Sequence, residues 1–441
     1  MSENITKPLH SAEKPDAATP QSMGLALLGA TAERLKGVVR LTSYPLITIC
    51  LLMLVASVSH AETYQIISSE SSVVGGDLTK TVTTVQVGSN PLDRFLISRV
   101  VKPVPNKSLK GVILLLPPLG SGFQNYEVGE NDDYNNSFVA FFARRNFDVW
   151  GYSQRVQGLV AGTCESGAAD CSAMADWGLQ TIVEDVAFIR QRIELVHPGR
   201  KPVVGGLSLG SIASLATINA HPNDYAGAIL IEGTIYDEDP AVRALNANFF
   251  AAFDDLLANG IFYDGQGSPG FKLLSLLAKV DPNGLTPLPG FPPGFTNHRA
   301  FVAAMSAPPP SPMTFRPGFY SLAGSVEEDR FFYANESLVH ANIAAFVDYT
   351  AIRTLRDIYF GLAGDQTFTG NLQSFTGPVI MFAGGHGFGT GMIDTAELMT
   401  SANVTLNFNE VYGHVDYVFS VNHLHEVEHP ILNWLVLEPF K

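Results

Sequence analysis

Only three of the 441 residues are cysteine (Cys50, Cys164 and Cys171), too few for a disulfide-dense scaffold or a multi-cysteine metal cluster. Charge is scarce as well, at 16% of residues, and it is lopsided. The chain has 27 Lys and Arg against 42 Asp and Glu, a formal net charge of -15. An acidic surface has nothing with which to neutralise phosphate, which speaks against nucleic acid or an anionic membrane as a partner. No apolar run reaches the ~20 residues of a membrane span, so no stable span is expected in the mature chain. The glycine-rich stretch Gly384–Gly391 matches neither dinucleotide-binding nor P-loop spacing, and nothing calls for a cofactor.

What is present is a globular composition, 46% hydrophobic, in a chain long enough for one large domain with an insertion or for two domains. The one segment that reads as targeting is residues 1–61. Arg34, Lys36 and Arg40 precede the apolar run Leu46–Val58, and Ser59-His60-Ala61 supplies small residues for a signal peptidase. Cleavage after Ala61 would start the mature chain at Glu62 and direct it to the periplasm or the exterior. The leader is long, so Met23 is an alternative start. An uncleaved anchor and lipidation at Cys50 are the less favoured readings. Cleavage leaves Cys164 and Cys171 in a Gly/Ala/Ser-rich loop, the expected disulfide of an exported protein.

Hydrophobic patterning then organises the chain. Thr79–Val87 and Arg94–Val101 alternate apolar and polar residues around Asn90-Pro91 and read as an antiparallel hairpin. Val112–Leu116, Phe147–Tyr152, Pro202–Leu207 and Ala226–Ile231 are short apolar runs. They are separated by helical patterns at Asn135–Asn146, Asp176–His197 and Ser211–Asn219. This is the signature of a mostly parallel sheet covered by helices on both faces. The alternation fails from Gly233 to about Thr376, a Phe-, Tyr-, Pro- and Gly-rich stretch with amphipathic pieces at Pro240–Ala258 and Leu338–Leu362. It resumes with strand Val379–Phe382, a helix from Asp394, strand Val404–Phe408 and a last helix near Val427–Val436. The expected organisation is α/β core over 62–232, an inserted and mainly helical cap over 233–376, and the rest of the core over 377–441.

Gly206-Leu207-Ser208-Leu209-Gly210 matches G-x-S-x-G, with a buried strand before it and a helix directly after. So tight a strand-to-helix corner leaves no room for side chains at the two glycines. It projects the Ser208 hydroxyl beyond the strand's carboxyl end, which makes Ser208 the candidate nucleophile.

On this motif the chain resembles the α/β-hydrolase superfamily, serine esterase and lipase-like members in particular. The resemblance implies that fold and a Ser-His-acid triad working through an acyl-enzyme, with a small ester or lipid-like substrate. It implies an oxyanion loop at Leu116-Pro117-Pro118-Leu119-Gly120. There Pro118 lacks an N–H, so the expected donors are the N–H groups of Leu119 and Leu209. Phe147 to Arg155 is similar to the fourth-strand segment of acid-lipase-like hydrolases. Tyr412-Gly413-His414-Val415-Asp416-Tyr417 is similar to their histidine loop, which makes His414 the base. The acid departs from the pattern. Many relatives carry aspartate nine residues after the proline opening the penultimate strand, but counting from Pro378 lands on Gly387. Asp394 has the position of a helix cap, and Asp416 lies only two residues beyond His414. Glu232, at the end of Ala228–Ile231, is the expected acid, with Asp394 the alternative.

His423, His425 and His429 with Glu426 and Glu428 read as a solvated helix face, so no metal is expected. The reading is a secreted esterase or lipase. The same machinery could serve acyl transfer, thioester hydrolysis or lactone opening, and a non-catalytic member that binds an apolar ligand is the reading from another class.

Overall fold

A computed structural model describes residues 63–103, 105, 108–265, 267–306 and 315–440. The leader with Cys50 and its cleavage site, and the proline run at 308–310, lie outside the described residues.

Nine strands form one sheet: β1 (Tyr64–Val74), β2 (Leu78–Val87), β3 (Arg94–Val101), β4 (Gly111–Leu116), β5 (Phe147–Ser153), β6 (Val203–Leu207), β7 (Gly227–Ile231), β8 (Val379–His386) and β9 (Val404–Gly413). Their spatial order is 1-2-3-5-4-6-7-8-9. The first three pair antiparallel and β3 meets β5 antiparallel, while every pairing from β5 across to β9 is parallel. Every residue of β4, β5, β6 and β7 is buried, the condition their unbroken apolar runs predict. Each fully buried Val, Leu or Ile there stabilises the sheet by roughly 1.5–3 kcal/mol. β1 is a strand that apolar patterning does not reveal. It lies at the sheet edge, largely exposed, and its serines pair with threonines of β2 (Ser68 with Thr84, Ser69 with Thr83, Ser71 with Thr81).

Two helical layers cover the sheet. α1 (Phe138–Ala143) packs on one face, over Ile113, Leu115, Ile229, Ile231, Ile380 and Phe382, together with the C-terminal helix. The other face carries α2 (Leu179–Val196) and α3 (Leu209–Ala220), over Val112, Leu114, Val204, Ala228, Leu230 and Met381. Ile182, Val186, Ile189 and Ile193 of α2 all turn inward, as their spacing predicts.

Among the described residues of 233–378 none adds a strand to this sheet. They hold α4 (Pro240–Ala258), α5 (Gly267–Val280), α6 (Asn297–Ser306), α7 (Glu336–Ala344) and α8 (Ile352–Leu362). The amphipathic stretch Leu338–Leu362 is therefore two helices. Between them the chain is drawn aside, because Val347 N–H bonds the Gly120 carbonyl at 2.7 Å and Thr350-Ala351 pairs with Tyr263-Asp264. α8 sends Ile352, Leu355, Ile358 and Leu362 into the same apolar cluster as α2 and α3, so it belongs to the layer on the sheet. α5, α6 and α7 share a separate small core around Leu274, Phe301, Val302, Leu338 and Val339. Cys164 and Cys171 are disulfide-bonded, and the loop they close packs with Met174, Trp177 and Tyr349.

The chain closes with α9 (Gly389–Leu398), α10 (Asp416–Phe419) and α11 (His429–Leu437). Helix α9 begins five residues before the start expected at Asp394. Gly387 N–H closes a turn onto the Gly384 carbonyl and the helix follows at once. Asp394 is thus inside a helix rather than capping one. Its carboxylate instead accepts the Glu238 N–H at 2.8 Å.

Candidate active site

β6 delivers Ser208 at its carboxyl end, and α3 starts with the next residue. Ser208 holds φ 57° and ψ −119°, a left-handed conformation that only a tightly determined corner sustains. Crowding at this corner dictates the two glycines. A Cβ on Gly206 would sit 2.1 Å from the Leu116 carbonyl oxygen, and one on Gly210 only 1.9 Å from it. Ser208 N–H donates to the Ile231 carbonyl (2.9 Å) and its own carbonyl accepts from Ile212 N–H (3.0 Å).

β9 ends at Gly413 and delivers His414. Its Nε2 lies 2.8 Å from Ser208 Oγ. The imidazole is nearly buried and sits against the rings of Phe319 and Phe388, with centroids 5.2 and 5.3 Å away. Residues 319–323 fasten the histidine loop. His414 N–H donates to the Tyr320 carbonyl (2.9 Å) and Val415 N–H to the Ser321 carbonyl (2.8 Å).

Glu232 is the first residue beyond β7. It is wholly buried at φ 47°, and its Oε2 lies 3.3 Å from His414 Nδ1. Gly384 N–H donates to Oε1, and Phe388 N–H donates to Oε2 at 3.0 Å. Burial pushes this carboxyl above its ordinary range, while His414 and the two backbone N–H groups pull the other way by favouring the anion. The glycine at 387 has a local reason. A Cβ there would lie 1.8 Å from Glu232 Oε2, so the space an aspartate at 387 would use is occupied by the glutamate. Ser208, His414 and Glu232 are thus brought together, and Asp394 is not among them.

Asp416 has a part that its position in the chain conceals. It is fully buried, and its Oδ2 accepts from Gly413 N–H (2.6 Å) and Ala323 N–H (2.8 Å), tying the histidine loop to the inserted segment. Burial raises its pKa to about 6, against those two bonds, with the charges of Glu232 and Glu426 adding to the rise. Asp two residues after His was the available signal, and its nearness in sequence hides a role in holding the loop. Near the C-terminus, His423 pairs with Glu428 at 2.7 Å and His425 stacks on His429. Among the described residues no group of three or more His, Cys, Asp or Glu is placed to hold a metal ion.

No protein-family model and no curated protein sequence matches the chain. Solved structures do. A candidate lipase from Sulfolobus solfataricus superposes with a TM-score of 0.58 at 19% identity, over 85% of this chain and 98% of that one. The chain has the α/β-hydrolase fold. A thermostable carboxyl esterase from Bacillus coagulans also matches, over 85% of this chain and 99% of that one, at 15% identity and a TM-score of 0.46.

In the α/β-hydrolase fold, as in open α/β sheets generally, ligands bind outside the carboxyl ends of the strands. Here that crevice is a cavity of about 220 Å³ with Ser208 and His414 in its wall. Leu119, Ile212, Phe271, Met305, Phe315, Phe319, Ile343, Phe346, Ile358 and Phe388 make most of the rest, and Asn125, Ser321 and Asn342 add neutral polar groups. No Asp, Glu, Lys or Arg stands among the described residues that line it. Pro118, Leu119 and Leu209 also line this cavity, so both expected oxyanion donors belong to residues beside Ser208. Leu209 opens α3, where the first N–H groups have no partner within the helix.

Proposed function

We propose that this chain is an exported serine hydrolase that cleaves neutral carboxylic esters through Ser208, His414 and Glu232. The observation that carries the reading is one line of contacts, from Ser208 Oγ to His414 Nε2 and from His414 Nδ1 to a buried carboxylate, in the wall of an apolar cavity.

Glu232 holds the tautomer with the proton on Nδ1 and leaves the Nε2 lone pair facing the serine. As Oγ bonds to the ester carbonyl carbon, its proton passes to Nε2. The N–H groups of Leu119 and Leu209 meet the charge that develops on the carbonyl oxygen. Collapse of the intermediate expels the alcohol, which takes the proton from Nε2 and leaves an acyl-serine. Water then attacks with His414 again as base, and the acid departs with Oγ reprotonated. A carboxylate or phosphate on the substrate would lose its hydration in this cavity without gaining a counter-charge, so neutral and apolar esters are favoured.

Against a non-catalytic ligand binder speaks Glu232, whose carboxylate fills the space beside Gly387, where the family pattern has its aspartate. Export rests on the leader sequence and gains support from the Cys164–Cys171 disulfide, since such bonds persist in oxidising compartments.

A fluorophosphonate probe and a panel of p-nitrophenyl esters test the proposal together. Wild type should be labelled at Ser208 and should turn over short and medium acyl esters, and Ser208→Ala should do neither. Equal labelling of both proteins would overturn it.

A further inference from the structure

Tyr126 lies outside the Ser-His-Glu line, yet its hydroxyl touches the strand that delivers Ser208 and the strand that ends at the loop carrying Leu119. Oη donates to the Leu116 carbonyl at 2.6 Å and accepts from the Leu207 N–H at 2.8 Å. Leu116 is the last residue of β4 and Leu207 the last of β6. One buried hydroxyl therefore joins the residue before the loop that carries Leu119 to the residue before Ser208.

The loop needs such an anchor. Pro117 and Pro118 follow Leu116, and neither has an N–H with which to fasten itself. The first N–H beyond them belongs to Leu119, a proposed oxyanion donor. At the far end the Gly120 carbonyl is held by Val347 N–H at 2.7 Å. Between these points the Pro118 carbonyl accepts from Gln154 Nε2 at a long 3.5 Å. At the near end, where β4 still pairs with β6 at Leu116 and Gly206, Tyr126 holds the Leu116 carbonyl in a space so close that neither Gly206 nor Gly210 can carry a Cβ. Tyr126 is in turn wedged by the rings of Phe123 and Phe138, at centroid distances of 6.4 and 5.7 Å. It is 4% exposed, and water does not compete for its two bonds.

We propose that Tyr126 is a positioning residue that sets the separation of the two oxyanion donors, the N–H groups of Leu119 and Leu209. The inference rests on the proposed ester hydrolysis. Donors stabilise an oxyanion only within a few tenths of an ångström of 2.7–3.1 Å, so releasing one end of the loop acts on the transition state and not on substrate binding.

Tyr126→Phe tests it, with active sites titrated by fluorophosphonate so that misfolded protein is not counted. Labelling of wild type and its turnover of p-nitrophenyl butyrate come first, and their failure would sink the hydrolase reading itself. Given an active wild type, the variant should lose roughly tenfold in kcat per titrated site, with KM within twofold. The affinity for a trifluoromethyl ketone, which forms the oxyanion on Ser208, should fall by a similar factor. Unchanged kcat per site, or a fall in kcat with undiminished ketone affinity, would overturn the proposal. Should the Phe variant not fold, 3-fluorotyrosine at 126 carries the same test while filling the same space. Its altered hydroxyl should change kcat and ketone affinity together, and no change in either would count against the role.

Discussion

Replacing Asp416 by Asn should make the protein relatively more stable as pH rises, although it removes a carboxylate that makes two hydrogen bonds. Asp416 is buried, and its pKa of about 6 stands well above the ordinary 3.8. Below pH 3.8 the group is neutral in both folded and unfolded chains. Between 3.8 and about 6 the unfolded chain ionises first, so the folded state loses stability as pH rises through that window. Above it both ionise, and the penalty levels off. At about 1.4 kcal/mol per pH unit, the full penalty is about 3 kcal/mol, of which about 2 kcal/mol develops between pH 4 and pH 7.5. Asn has nearly the same shape, and its carbonyl oxygen can accept from Gly413 and Ala323 as Oδ2 does. The other carboxylate oxygen is buried and has no hydrogen-bond partner among the described residues, so the amide NH2 placed there adds a cost that does not vary with pH. Urea unfolding of wild type and Asp416→Asn across this range measures the difference, and other titrating groups largely cancel. The variant's unfolding free energy relative to wild type should climb by about 2 kcal/mol from pH 4 to pH 7.5. A difference flat across that range would refute the buried charge as the source.

The acid is tested by comparison. Glu232→Gln should cut kcat by roughly 10³–10⁴, as loss of the group orienting a triad histidine does, while Asp394→Asn stays within about threefold of wild type. The reverse order in a p-nitrophenyl ester assay would reassign the acid. Gly387→Asp should disable the enzyme by driving a side chain into Glu232. Adding Glu232→Ala, which vacates that space, should restore at least tenfold of the lost rate, and a double variant no better than the single would show that the two positions do not share one acid site. Cys164 and Cys171 close a short loop seven residues apart in sequence, for which chain entropy predicts a loss of about 2–3 kcal/mol on reduction. Urea unfolding with and without dithiothreitol checks that value.

How far the sequence discloses this site depends on which physical effect places each residue. β4, β5, β6 and β7 are legible because each is buried on both faces, so burial alone writes the pattern. β1 is not, because an edge strand held by Ser–Thr pairs needs no apolar alternation. The α7–α8 boundary is hidden for another reason. The break comes from partners remote in sequence, Gly120 and the Tyr263-Asp264 segment, while the helical periodicity runs on across it. Ser208 stands out because its corner admits only glycine on either side, a constraint that leaves a motif. Glu232 leaves half a signal. A carboxylate ending a buried strand demands a partner, but only the structure reveals that Gly387 is empty because Glu232 fills the room beside it. The glycine in one loop and the carboxylate at the end of another strand are therefore two marks of one packing arrangement. Asp416 and Tyr126 lie at the far end of this scale. Both act by gripping backbone atoms, Gly413 and Ala323 in one case and Leu116 and Leu207 in the other. A backbone partner has no side-chain identity to conserve a spacing with, so residues that position a site in this way carry no motif, and only geometry finds them.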